Sequence, residues 1–219
     1  MTTLTKKFRE ALKSKWTILS GDIPFVNRFF LDGDLSMHVS VEGESVQTEH
    51  PVDICLDITM DDVSHCEPFP APFKIFSFDL ETSIAHDTIL CAAAVIEDMG
   101  TGERTRHTFA DDEETILRQM TELVRESDPD IITGYNIDNF DMVRLQDRMR
   151  IHASKNDWEK RISLLGWGRL PITKEEHDRT RDGLLPYRGN ARAWSLAGRC
   201  VMDAWWQARQ ALRPERETL

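Results

Sequence analysis

The chain has 219 residues, 40% of them hydrophobic and 30% charged, which suits one sizeable folded domain or one domain with a small appendage. No run approaches the roughly 18 apolar residues of a membrane-crossing helix. The N-terminus has Lys and Arg but no apolar signal core, and Cys55, Cys66, Cys91 and Cys200 show neither CxxC pairing nor metal-ligand rhythm, so a reduced, cytoplasmic protein without a membrane partner is expected.

The net charge of −11 argues against a nucleic-acid partner until its distribution is read. Residues 1–21 carry +4, residues 22–143 carry −21, and residues 144–192 carry +5. An acidic body flanked by basic stretches suits a carboxylate metal site beside a strip that meets phosphates, although any one stretch taken singly reads first as a solvated face.

In chain order, residues 1–15 predict a short amphipathic helix or a frayed end. Residues 16–72 predict a small irregular β segment, with short apolar runs at Val39–Val41 and Ile54–Ile58 between Gly, Pro and acidic turn residues. Three prolines within Glu67–Pro72 stop any helix or central strand there. The boundary is therefore expected at 72/73, with 1–72 as a linking segment and 73–219 as the main domain.

Phe73–Leu80 predicts a buried central strand, apolar on both faces. Ile89–Ile96 and Arg104–Phe109 predict two more strands across a Gly100–Gly102 turn. Asp111 or Asp112 caps a helix with Glu113 and Glu114 in its first turn; Ile116, Met120, Leu123 and Val124 form its buried stripe, and Pro129 stops it. Asp130–Tyr135 predicts a strand parallel to the first, and Met142–Arg150 a second helix. Residues 151–192 read as a Gly- and Arg-rich hairpin or loop insertion, Ser195–Met202 as a strand, and Asp203–Leu212 as a closing helix. The order predicts an α/β fold: a ribonuclease H-like mixed sheet with flanking helices.

Asp79 and Glu81 stand two apart at the end of the first strand, so period-2 geometry puts both carboxylates on one face. Such a pair is held together by a divalent cation, or else it is an acidic strand end facing solvent. Asp141 begins the helix after the parallel strand, at the same sheet edge, where it points towards that pair or simply satisfies the helix dipole. Three hard-oxygen ligands select Mg²⁺ or Mn²⁺ over zinc.

Phe78-Asp79-Leu80-Glu81-Thr82 resembles the first exonuclease motif of family B DNA polymerases, those of the archaeal kind included. The segment Asp128–Asn136 continuing to Phe140-Asp141 resembles the second. Asp22-Ile23-Pro24-Phe25 with Arg28, Phe29 and Asp32, and Gly198-Arg199 with Asp203, match flanking segments, so the resemblance spans about residues 16–212. It implies a 3′→5′ proofreading exonuclease in which Asp79, Glu81 and Asp141 hold two divalent ions, Mg²⁺ or Mn²⁺, about 4 Å apart. It also implies that Asn136 and Phe140 contact an unpaired 3′ DNA end, Phe140 by stacking or else as core.

The family's third motif, Tyr-x3-Asp, is missing: Asn139 stands four places after Tyr135 and Ala191 four after Tyr187. The expectation is an N-terminal fragment of a longer polymerase, weakly active alone, whose second ion binds poorly and whose partners are DNA and the remaining polymerase domains. Trp205 and Trp206 are expected to expose apolar surface and favour a dimer. Two other readings stay open. One is a stand-alone nuclease with a His-x4-Asp third motif, at His152/Asp157 or His177/Asp182; the other is a non-catalytic ribonuclease H-like binding module.

Overall fold

The computed structural model describes residues 7, 10–12, 25–49, 52–169, 185–188 and 194–212. The chain divides into two compact units, residues 1–70 and 71–219. The expected helix over 1–15 and the His177/Asp182 pair lie largely or wholly outside the described residues.

The first unit holds a helix, α1 (Phe25–Asp32), where irregular β structure was expected. Its sequence FVNRFFLD has no strand alternation, and Arg28 reaches Asp32 one turn on at 3.0 Å, a spacing only a helix brings together. The β structure is sparse. β1 (Val39–Val41) pairs antiparallel with β4 (Val63–His65), and β2 (Glu44–Ser45) with β3 (Leu56–Asp57). Of the expected run Ile54–Ile58, only Leu56 and Asp57 are strand.

The second unit is built on a five-stranded sheet in the order β11-β8-β5-β6-β7. β5 (Lys74–Thr82), β6 (Ile89–Asp98) and β7 (Arg104–Phe109) form an antiparallel meander. β8 (Ile131–Gly134) runs parallel to β5, and β11 (Cys200–Asp203) parallel to β8. Three parallel strands therefore end at one edge. A β-bulge falls between Glu81 and Thr82, where β5 leaves its regular pairing with β6.

Strand β5 departs from expectation in one respect: it is buried on one face only. Phe76, Phe78 and Leu80 are buried, whereas Asp79 and Glu81 are exposed and Ser77 is half-buried. Register explains the division. Leu80 pairs with Ala92, Phe78 with Ala94, and Phe76 with Ile132, so the even-numbered residues of β5 share one closed row with buried neighbours.

Three helices cover that row. α2 (Glu113–Ser127) is capped by the Asp112 carboxylate, which accepts from the Thr115 N–H, and it buries Ile116, Leu117, Met120 and Val124. It ends at Asp128, whose φ of 45° is the left-handed turn that lets the chain reverse before Pro129. α3 (Asp141–His152) buries Met142, Leu145 and Met149. α4 (Trp158–Leu165) lies where a loop insertion was expected, capped by Asp157 and burying Leu164 and Leu165. After it, Trp167 is fully buried with its ring edge against Phe76 and Phe78, and its indole N–H donates to Thr121 Oγ1 at 3.0 Å. That bond satisfies the one polar group of a large core ring. A short hairpin of β9 (Tyr187–Arg188) and β10 (Trp194–Ser195) precedes β11, and α5 (Ala204–Leu212) follows it. On α5, Trp206 is exposed, Trp205 is half-buried with its ring 4.5 Å from that of Trp206, and Arg209 lies over Trp205.

Candidate active site

The site lies at the edge where β5, β8 and β11 end. Asp79 and Glu81 project from the open face of β5, both exposed to solvent. β8 pairs with β5 only over Ile75–Ser77, so further along β5 the backbone lacks a partner strand on that side. Asp141, the first residue of α3, fills this gap. One of its carboxylate oxygens accepts the Leu80 N–H at 3.0 Å, between the two carboxylate-bearing positions of β5.

Asp141 is only 2% exposed. Burial, reinforced by the nearby Asp79 charge, pushes its carboxyl up to about 7 against an ordinary 3.8. The Leu80 N–H works against this shift without overcoming it. A buried carboxylate repelled by an exposed one is an arrangement that a hard cation relieves, and oxygen ligands of this kind suit Mg²⁺ or Mn²⁺. Glu81 stands on the same face as Asp79, one period further along. Among the described residues, no group of three or more His, Cys, Asp and Glu side chains is already drawn together closely enough to hold an ion. The observed juxtaposition is thus Asp79 with Asp141, with Glu81 adjacent in the strand.

The loop from β8 to α3 carries the other two residues singled out in the sequence. It begins at Gly134, where an added Cβ would lie 2.5 Å from both the Phe78 carbonyl oxygen and Ile137 Cγ2. Only glycine lets the loop cross β5 this closely. We expect Gly134→Ala to destabilise the chain by about 1–3 kcal/mol in urea titration, the usual cost of overpacking. An unchanged midpoint would show that the crossing is loose.

Asn136 adopts φ of 60°, a left-handed conformation. It is held there from below by Asp203, at the end of β11, which is 5% exposed. Asp203 accepts the N–H of Asn136 at 2.8 Å, of Asp138 at 3.0 Å and of Trp205 at 2.8 Å. One buried carboxylate so fixes the loop and starts α5. Burial and the neighbouring Asp203 charge raise the carboxyl of Asp138 in the same pocket. The Trp194 indole N–H donates to the Asp138 carbonyl at 2.9 Å and pins the loop from the hairpin side. Phe140, just ahead of α3, is 36% exposed, with the Arg144 guanidinium 5.5 Å from its ring centre. Arg144 also pairs with Asp87 of the β5–β6 turn at 2.8 Å. Phe140 is therefore a half-open face rather than core.

The sequence flagged Asp203 but not its role, and it gave no sign of Trp194 or Arg188. Their contacts join residues more than forty positions apart, which no local pattern encodes.

His152 occupies the far end of α3 from Asp141, about 16 Å along the helix at 1.5 Å per residue. It bonds Glu113 at 2.7 Å, and Asp157 caps α4 by accepting the Lys160 N–H at 3.0 Å. This pair serves the framework between helices and does not reach the carboxylate edge. Arg199 likewise belongs to the other end of the sheet, where it bonds the Trp167 carbonyl, the Asp128 carboxylate and the Pro129 carbonyl.

Residues 95–217 match the family model described as DNA polymerase family B, exonuclease domain. A DNA polymerase of Archaeoglobus fulgidus is 26% identical over 145 residues, covering 65% of this chain and 18% of that protein. A DNA polymerase delta catalytic subunit of Dictyostelium discoideum is 27% identical over 214 residues, covering 83% of this chain and 19% of that protein. The solved structure of the family B DNA polymerase of Pyrobaculum calidifontis superposes with a TM-score of 0.55 at 20% identity, covering 91% of this chain and 24% of that one. The chain thus spans less than a quarter of the length of each of these, and the structural likeness establishes a shared fold.

Proposed function

The chain belongs to the exonuclease-domain family of the family B DNA polymerases, and from that premise we propose that it removes nucleotides from an unpaired 3′ DNA end. The observation that carries this reading is Asp141, buried against the Leu80 N–H and beside Asp79 at the sheet edge. In the hydrolysis, a water oxygen bonds to the terminal phosphorus while the bond from phosphorus to the 3′ oxygen breaks. The departing oxygen takes up a proton, and a nucleoside monophosphate leaves. Asp79, Glu81 and Asp141 are the residues we assign to hold two ions of Mg²⁺ or Mn²⁺, which when bound activate the water and neutralise phosphate charge.

The protein's own part is to place the strand. Phe140 offers a half-exposed ring for a terminal base, backed by the Arg144 guanidinium. Asn136 offers a side-chain amide from a backbone fixed by Asp203. The basic segment 144–192 adjoins this loop in sequence and favours phosphate at low ionic strength. The 219 residues contain no Tyr-x3-Asp, so the water-orienting tyrosine and the carboxylate of that motif are not among them. Hydrolysis by this chain alone is therefore slow, by about 10²–10⁴, the usual cost of losing a positioned acid–base or orienting group. The partners assigned to it are DNA and the remaining domains of a polymerase, whose part would be to hold the paired portion of the DNA.

The test is a 5′-labelled single strand incubated with Mn²⁺. The expected products form a ladder shortened from the 3′ end, seen more readily on single-stranded than on blunt duplex DNA and weakened by salt. Asp79→Ala and Asp141→Ala each remove it. A ladder that persists in Asp141→Ala would overturn the role assigned to Asp141, and no Mn²⁺-dependent change of any kind would point instead to a binding module.

A further inference from the structure

The loop residue Asn136 is fixed twice over. Its backbone N–H goes to Asp203, as described. Its side chain is the end of a chain of hydrogen bonds that starts on the β9–β10 hairpin. Arg188 Nη2 donates to Asn139 Oδ1 at 3.2 Å, and Asn139 Nδ2 donates to Asn136 Oδ1 at 3.0 Å.

The direction of that chain follows from chemistry. A guanidinium only donates, so the Asn139 atom facing it is the carbonyl oxygen, and the amide nitrogen of Asn139 faces the other way. That nitrogen needs an acceptor, which sets Asn136 with its oxygen towards Asn139. The amide NH₂ of Asn136 is then the group left to meet a ligand, and it meets hydrogen-bond acceptors. Without the arginine, both amides are free to turn over, because either orientation lets the two asparagines bond each other.

We propose that Arg188 is a positioning residue: through Asn139 it fixes the amide of Asn136 as a donor towards an acceptor on the terminal nucleotide of a single strand. The proposal rests on the exonuclease reading of this edge. It extends that reading to a residue 52 positions downstream of Asn136, outside either matched motif and on a separate two-stranded hairpin. Arg188 acts by direction, not by charge, and in this it differs from a basic residue that touches phosphate.

The two roles separate in a double-mutant cycle on binding of a short fluorescein-labelled oligothymidylate to the whole chain, followed by anisotropy. Ca²⁺ replaces Mg²⁺ so that no turnover intervenes. Arg188→Ala and Asn139→Ala are expected to weaken binding equally, by about twofold, because an amide free to turn over presents its donor only about half the time. Asn136→Ala, by contrast, loses the bond itself, about fivefold. In an Asn136→Ala background neither should weaken it further, and the slope of log affinity against log salt should be unchanged by Arg188→Ala. The hydrogen bonds removed are both exposed, so the variants should fold, and a thermal melt matching the parent confirms it.

If Arg188→Ala weakens binding as much in the Asn136→Ala background and lowers the salt slope by about one, Arg188 contacts phosphate directly and the relay is overturned. A loss in Asn136→Ala with none in Arg188→Ala overturns the relay alone. No loss even in Asn136→Ala overturns the substrate reading of the loop and the relay with it.

Discussion

Replacing Asp141 by asparagine should make the protein more stable at pH 8 in the absence of divalent ions, while reducing hydrolysis by roughly a thousandfold. The carboxyl is buried, and its folded-state value of about 7 lies well above the ordinary 3.8. The folded chain therefore holds this proton more tightly than the unfolded chain. Below pH 3.8 both states are protonated and the site is neutral in its effect. As pH rises from about 4 to 7, the unfolded state gives up the proton first, and stability falls across that window. Above it the loss is complete, at most about 4 kcal/mol for a shift of this size. Asparagine keeps an oxygen for the Leu80 N–H and carries no charge, so its stability should be flat across the same range. Mn²⁺ should raise the melting temperature of the parent, because it binds only the folded site, and leave Asp141→Asn unmoved. The measurements are thermal melts at pH 4, 6 and 8 with and without Mn²⁺. An asparagine variant less stable than the parent at pH 8 without metal would show that the carboxylate is comfortable where it sits.

This strain also explains why the site was half legible in the sequence. Period-2 spacing put Asp79 and Glu81 on one face, and the open side of β5 follows from that alternation once burial is known. Asp141 at a helix start reads the same whether it serves the dipole or a site, and the contact that turns its carboxylate to β5, with the Leu80 N–H, spans 61 residues of sequence. The meander β5–β7 and helix α2 were readable because their signals are local: a cap at Asp112, a stripe at helical spacing, a turn at Gly100–Gly102. α4 was missed although WEKRISLL has Asp157 to cap it and Leu164 and Leu165 to bury. The surrounding glycines and arginines outweighed an eight-residue pattern, and only Trp167 and the face of α2 make that pattern worth burying. α1 was missed for a similar reason, being one short helix within a segment of turn residues. The hold of Asp203 on the Asn136 loop spans 67 residues and leaves no periodic trace.

The framework that keeps α3 in place rests on a second buried carboxylate, and Arg148→Met should unsettle it strongly. Glu113, in the first turn of α2, is 8% exposed. It accepts the Ile89 N–H at 2.7 Å, both donors of a bidentate Arg148 at 2.6 Å, and His152 at 2.7 Å. Burial alone would raise its carboxyl, but Arg148, His152 and the Ile89 N–H outweigh that and hold it below its ordinary 4.5. The stability this contributes is therefore present above pH 4.5 and is lost as pH falls through the lower folded-state value. Removing Arg148 leaves the charge buried with too few partners, at about 3–5 kcal/mol. Replacing both members, Glu113→Leu with Arg148→Met, removes the buried charge as well and should recover part of the loss, though the Ile89 N–H is then unsatisfied at about 1–3 kcal/mol. Urea titrations of the three proteins at pH 7 check this order, and as pH falls from 7 the gap between parent and Arg148→Met should narrow because the variant's buried carboxyl, without Arg148, takes up its proton first. A single Arg148→Met variant as stable as the parent at pH 7 would mean that His152 and the backbone suffice. If the double variant regains stability but not exonuclease activity, the ion network is needed to aim α3, and with it Asp141, rather than to hold the fold together.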